Sequence, residues 1–197
     1  MMLVELGSVP DASLPVTEFS DHMHLGSGFS DDGSQDTLLA AYLRSAISAI
    51  EIRIGKAIFQ RLFSWTLTRW SDCARIGLPI APVQSVTALK VVAPDGTEIA
   101  IDPARYTLAA DTQRPTIVST SATLPAIPGN GHAEIEFEAG YGPAWEDTPA
   151  ALRHAILLLA RHYYECRGGH AERSDLPLGV TALIEGFRPL RIGGGSK

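Results

Sequence analysis

At 197 residues, 45% apolar and 19% charged, the chain has the composition of a soluble globular protein, long enough to bury a core without help from a metal or disulfide. Its formal net charge of −6 argues against a general nucleic-acid binder, whose charge would be basic. The charge is also uneven. Residues 1–43 hold seven acids (Glu5, Asp11, Glu18, Asp21, Asp31, Asp32, Asp36) and no Lys or Arg, whereas the last ten residues hold Arg188, Arg191 and Lys197 and no acid.

The N-terminus lacks a basic segment and a long apolar run, so it reads as no signal peptide. Residues 1–14 look irregular. Pro15 followed by Val16, Phe19 and Met23 predicts a short helix to about Leu25. Residues 26–33, rich in Gly, Ser and Asp, read as a loop. A long helix then starts near Ser34 or Asp36. Leu39, Leu43, Ala46, Ile50 and Ile54 make its apolar stripe, Tyr42, Ile47 and Ala49 widen it, and Gly55 marks its end.

The period changes after that. Phe63 to Trp70 largely alternates apolar and polar residues, which predicts a strand with one buried face. Ser85 to Val92 and Thr97 to Ile101 read as a hairpin around the Pro94-Asp95-Gly96 turn. Tyr106 to Leu108 and Thr116 to Val118 are weaker strands. Ala133 to Ala139 alternates cleanly, with Ile135 and Phe137 inward and Glu134, Glu136 and Glu138 outward. Thr148 is read as the cap of a second long helix, with Pro149 at its first position. Leu152, Ile156, Leu159 and Tyr163 form one apolar row of this helix and Ala155, Leu158 and His162 the next; Gly168 and Gly169 stop it. Pro177 to Phe187 suits a third helix.

These elements predict an α+β fold: a helical bundle (short N-terminal helix, two long helices, C-terminal helix) with an inserted antiparallel β region. The expected organisation is a single domain over 1–197. Residues 15–58 and 148–187 are its helical body, 59–145 the inserted β region, and 188–197 a flexible basic tail.

Chemistry is hard to find in this pattern. His22 and His24 lie two apart and would point to different helix faces, a poor start for a shared metal. His154, His162 and His170 recur every eight residues, which turns each away from the last. Glu134, Glu136 and Glu138 read as the wet face of one strand rather than as paired catalytic carboxylates. No nucleophile elbow, phosphate loop or zinc-binding helix is present. Trp65, Trp70 and Tyr106 lack the interleaved basic residues of a base-stacking surface and read as β core. Cys73 and Cys166 are isolated and read as reduced thiols of a cytosolic protein; Cys166 sits at a helix C-terminus, which raises rather than lowers a thiol pKa. The sequence therefore names no catalytic, metal or cofactor-binding residue, and no cofactor. An alternative reading is a small ligand-binding or enzymatic α+β domain, with a site between the β insertion and the helices.

Several stretches together resemble the small head–tail connector (adaptor) proteins of long-tailed bacteriophages and gene transfer agents. They are His22-Met23-His24-Leu25, Leu38 to Leu43 with Ala49-Ile50-Glu51, and Gly55-Lys56-Ala57. Then come Leu78-Pro79-Ile80-Ala81-Pro82-Val83-Gln84-Ser85-Val86, Asp95-Gly96 and Tyr106, followed by Ala139-Gly140-Tyr141-Gly142, Pro149 to Leu159, Tyr163-Tyr164-Glu165 and Arg167. The Leu-Pro-x-x-Pro-Val-x-Ser-Val stretch and the Ala-Gly-Tyr-Gly to Pro-x-x-Leu-Arg-x-Ala-Ile stretch are the most specific in combination. The resemblance implies a non-enzymatic protein of a virion or phage-like particle, assembled in the host cytoplasm. It implies a ring of copies of this chain, commonly twelve-fold, between a portal protein and a tail-side stopper protein, with DNA only as cargo in the channel and no membrane partner. It also implies portal docking by a C-terminal segment. Here that carries over to Phe187, Arg188, Leu190, Arg191, Ile192 and Lys197.

Overall fold

The computed structural model describes residues 1–24, 35–166 and 176–189. The chain divides into two compact units. The β unit comprises Met1–Ser8 and Phe59–Tyr141; the helical unit comprises Val9–Ile58 and Gly142–Lys197.

The β unit holds all eight strands of the described residues: β1 (Met2–Glu5), β2 (Arg61–Leu67), β3 (Arg75–Gly77), β4 (Val83–Val92), β5 (Glu98–Ala100), β6 (Tyr106–Ala109), β7 (Thr116–Ser119) and β8 (His132–Ala139). They make two antiparallel sheets, ordered β1-β2-β8-β4-β5 and β3-β7-β6. This overturns the expected helical bundle with a β insertion. The fold is mixed α+β, and among the described residues four α-helices accompany the two sheets. The underestimate has a physical cause. Helical periodicity is read over long windows, whereas β1 and β3 are four and three residues long and carry no usable alternation.

The five-stranded sheet is organised by β8. Ala133, Ile135, Phe137 and Ala139 are fully buried along one face. Register places Phe63 opposite Phe137 and Trp65 opposite Ile135 on the β2 side. On the β4 side Val86 lies opposite Phe137 and Leu89 opposite Ile135. The Phe63 and Phe137 rings stack at 5.8 Å, a cross-strand aromatic pair that pins this register.

The helical unit contains α1 (Val16–His22), α2 (Asp36–Ile54), α3 (Ala150–Glu165) and α4 (Leu178–Ile184). α2 buries Leu39, Leu43, Ala46, Ile47, Ile50 and Ile54, the stripe expected from its spacing, and Gly55 ends it in a left-handed conformation at φ 66°. α3 packs against both α2 and α4, burying Leu152, Ala155, Ile156, Leu157, Leu159 and Ala160. The start of α3 corrects one expectation. Pro149 is itself the N-cap residue, with no side-chain cap bond, and the Thr148 hydroxyl is buried without a partner among the described residues.

Candidate interaction surfaces

Two of the stretches that carry the family resemblance meet in the β unit. Val83 pairs with Ala139 in the sheet. One residue on, the Gly140 N–H donates to the Pro82 carbonyl at 2.9 Å, and the Gln84 side-chain amide donates to the Gly140 carbonyl at 2.8 Å. Pro82 follows a cis peptide bond. Gly140 adopts φ 137°, and a Cβ there would run into the backbone of Phe59 and Gln60. Only glycine fits a position that combines this φ with so close an approach. Burial of the neighbouring Tyr141 pushes its phenol up to about 12. These motif residues are therefore architectural: they fasten β4 to the end of β8.

The three glutamates of β8 lie on the opposite face from the core, half-buried rather than fully wet. Lys90 donates to Glu134 at 3.1 Å and to Glu98 at 3.3 Å. The Ser64 hydroxyl donates to Glu134 at 2.9 Å, and Gln60 and Ser85 both donate to Glu138 at 3.1 Å. The bonds from Lys90 first, and Ser64 second, hold the Glu134 carboxyl below its ordinary value. The same pairing with Glu134 raises Lys90. A carboxylate held charged by donors is a sheet-stabilising group, not a general acid.

In the helical unit, His22 meets His154 edge-to-face at 6.3 Å between ring centres. This juxtaposition of α1 and α3 was not legible from the spacing of the histidines along the chain. Burial, then the charges of Arg161, His154 and His24, lower the His22 pKa against a weaker opposing effect of Glu18. Its Nε2 is buried without a partner among the described residues. Cys166 Sγ lies 3.7 Å from His162 Nδ1, one helical turn away. No group of three or more His, Cys, Asp or Glu among the described residues is placed to hold a metal ion. No helix of the described residues is long and apolar enough to cross a membrane.

Of the residues expected to dock a portal, Phe187 and Arg188 are described. Phe187 is half-buried and closes a 3₁₀ turn, Glu185–Phe187, that continues α4. The exposed Arg188 guanidinium reaches back to both Glu185 oxygens, at 3.0 and 3.1 Å. Val180 and Ile184 anchor this segment with fully buried side chains. Leu190, Arg191, Ile192 and Lys197 lie outside the described residues.

Each unit also carries a cavity. One, of about 390 Å³, lies in the helical unit between residues 12–18 and 143–146; the Trp145 indole donates to Glu18 there at 2.7 Å. The other, of about 660 Å³, lies in the β unit and is lined by Met1, Trp65, Leu67, Thr68, Arg69, Trp70 and Ser71. Neither gathers a nucleophile with a base or a metal-ligand set.

No protein-family model matches the chain, and no curated protein matches it. Solved structures do, along its whole length. A chain in the neck of an empty gene transfer agent (GTA) particle, computed with C6 symmetry, is 46% identical with a TM-score of 0.91, covering 100% of both chains. A chain in the virion of a native gene transfer agent particle is 47% identical with a TM-score of 0.88, covering 99% of each. A chain in the neck of a native GTA particle, computed with C12 symmetry, is 43% identical with a TM-score of 0.86, covering 100% of each.

Proposed function

Because the chain belongs to the family of these gene transfer agent neck and virion chains, we propose that it is the head–tail connector, or adaptor, of such a particle. It is a structural component of the particle and not an enzyme. In this reading copies of the chain form a ring below the portal protein, join the DNA-filled capsid to a tail-side stopper protein, and line the DNA passage. The observation that carries the reading is end-to-end likeness, at 43–46% identity, to chains of particle necks computed with cyclic symmetry. The acidic balance supports it, since a chain of formal net charge −6 has little overall attraction for passing phosphate.

The anchor to the portal is proposed at Phe187, Arg188, Leu190, Arg191, Ile192 and Lys197. The described part supports this: α4 is fixed by buried side chains, and the chain leaves it with Arg188 exposed. The segment beyond is basic, with no acid after Glu185. Mixing the purified chain with its portal and imaging the product tests the class. A ring stacked on the portal is expected; a bare portal overturns the adaptor reading. Deleting residues 188–197 is expected to abolish association while leaving circular dichroism unchanged, and Arg188→Glu with Arg191→Glu to weaken it strongly. Undiminished binding by both variants would remove the anchor from the tail.

A further inference from the structure

The 660 Å³ cavity of the β unit opens beside an unpaired sheet edge. β1 ends the strand order, so one of its edges has no partner among the described residues. Its residues are exposed on both faces. Met1 is 86% exposed, Met2 60% and Leu6 50%, with Leu3 and Val4 also exposed. Isolated apolar side chains on a surface are ordinary, but a row of them on an open edge is a template for another chain. Met1 belongs both to this row and to the cavity lining, so edge and cavity form one continuous surface.

The cavity has a definite chemistry. Trp65, Leu67, Trp70 and Met1 make it apolar and aromatic, and Arg69, exposed, is the one charged side chain in its lining. Its volume suits an aromatic side chain with its neighbours. An occupant of matching chemistry carries an apolar anchor next to negative charge. The chain contains such a segment outside the described residues: Leu25-Gly26-Ser27-Gly28-Phe29-Ser30-Asp31-Asp32-Gly33-Ser34. It has one aromatic residue, two adjacent acids and no base. Ten residues span up to about 35 Å when extended.

We propose that the β1 edge and the Trp65–Trp70 cavity dock residues 25–34 of a second copy of this chain, with Phe29 in the cavity and Asp31 and Asp32 against Arg69. This rests on the ring reading above and deepens it. A cyclic ring needs a heterologous contact, in which one patch of each copy meets a different patch of the next. An acidic segment and a cavity bearing one cation are two such patches. Main-chain pairing along β1 supplies adhesion and the cavity supplies selectivity, as in strand addition generally.

The test places a photoreactive benzoylphenylalanine at position 29 of the full chain, in assembled necks. The expected adduct joins two copies and maps to residues 65–71 of the second. An adduct within one copy, to another neck protein or to a different segment overturns the proposal, as does the absence of any adduct. Electron microscopy of the same sample reports separately whether the chain has entered the neck at all, so loss of the ring reading is seen independently. A second measurement needs no particle. The synthetic peptide 25–34 is titrated into the full chain carrying Phe29→Ala, Asp31→Asn and Asp32→Asn, whose own segment no longer competes. Binding is expected to fall about tenfold or more when the peptide carries Phe29→Ala, and only a few-fold, with loss of salt dependence, in the Arg69→Ala protein. Absence of binding, or binding indifferent to Phe29, overturns it.

Discussion

The two units handle apolar surface in opposite ways. In the helical unit the exposed large apolar residues are scattered singly: Leu38 and Ile52 on α2, Leu178 on α4. Among the described residues of the β unit five of the six cluster, as Met1, Met2, Leu3, Val4 and Leu6 along one edge, with Ile99 alone on β5. The helices close on themselves because each stripe finds a facing stripe: α2 against α3, α3 against α4. An open five-stranded sheet cannot do this, since every open sheet has two edges. The difference separates a unit whose core is complete from one that offers an unfinished border.

The sharpest way to break the comparison is at the β4–β8 fastening. Gly140→Ala puts a Cβ into the Phe59–Gln60 backbone at φ 137° and is expected to destabilise the β unit by about 4 kcal/mol or more. Chemical denaturation with hydrogen exchange measures it. Protection should drop first in β2, β4 and β8, and a loss confined to α2 and α3 would contradict the account. Core truncations test the two units on equal terms. Phe137→Ala removes a fully buried ring stacked on Phe63, with an expected cost of about 3–5 kcal/mol. Leu152→Ala in α3 is expected to cost about 2–5 kcal/mol, read in the helical amides.

Acidification should separate the units by pH. The His22 pKa is lowered from 6.5 in the folded protein, so the unfolded state binds the proton more readily, and the helical unit loses stability as pH falls below 6.5. Glu134 is lowered from 4.5, so its contribution is present above that value and is lost as pH falls further. Amide exchange across this range should show α1 and α3 loosening before β8. His22→Gln should remove the first step and Glu134→Gln the second. The smallest effect is expected at Ile52→Ser. Ile52 is 82% exposed and isolated, so stability should stay within about 0.5 kcal/mol.

How much was legible followed from how each element is encoded. The stripe of α2 and the alternation of β8 repeat over many residues, and both emerged with the expected buried positions. β1 was missed because a strand exposed on both faces has no alternation, and β3 because three residues are too few for one. The Thr148 cap failed because Pro149 already holds the N-cap conformation and leaves the hydroxyl buried. For the candidate surfaces, the likeness in the Leu78–Val86 and Ala139–Gly142 stretches pointed to a family without saying why those residues are needed.

Local periodicity, turn residues and charge balance are properties of neighbouring positions, so the sequence by itself determined the long helices, the central strand and the acidic front. Tertiary structure alone decided what depends on distant positions meeting. Gly140 is glycine because Phe59 and Gln60 pass beside it, and burial, with His154 alongside, lowers the His22 pKa. Met2–Glu5 is a strand because β2 runs alongside it. Such pairings bring together residues up to 132 positions apart, as for His22 and His154, and no local pattern in the chain records them.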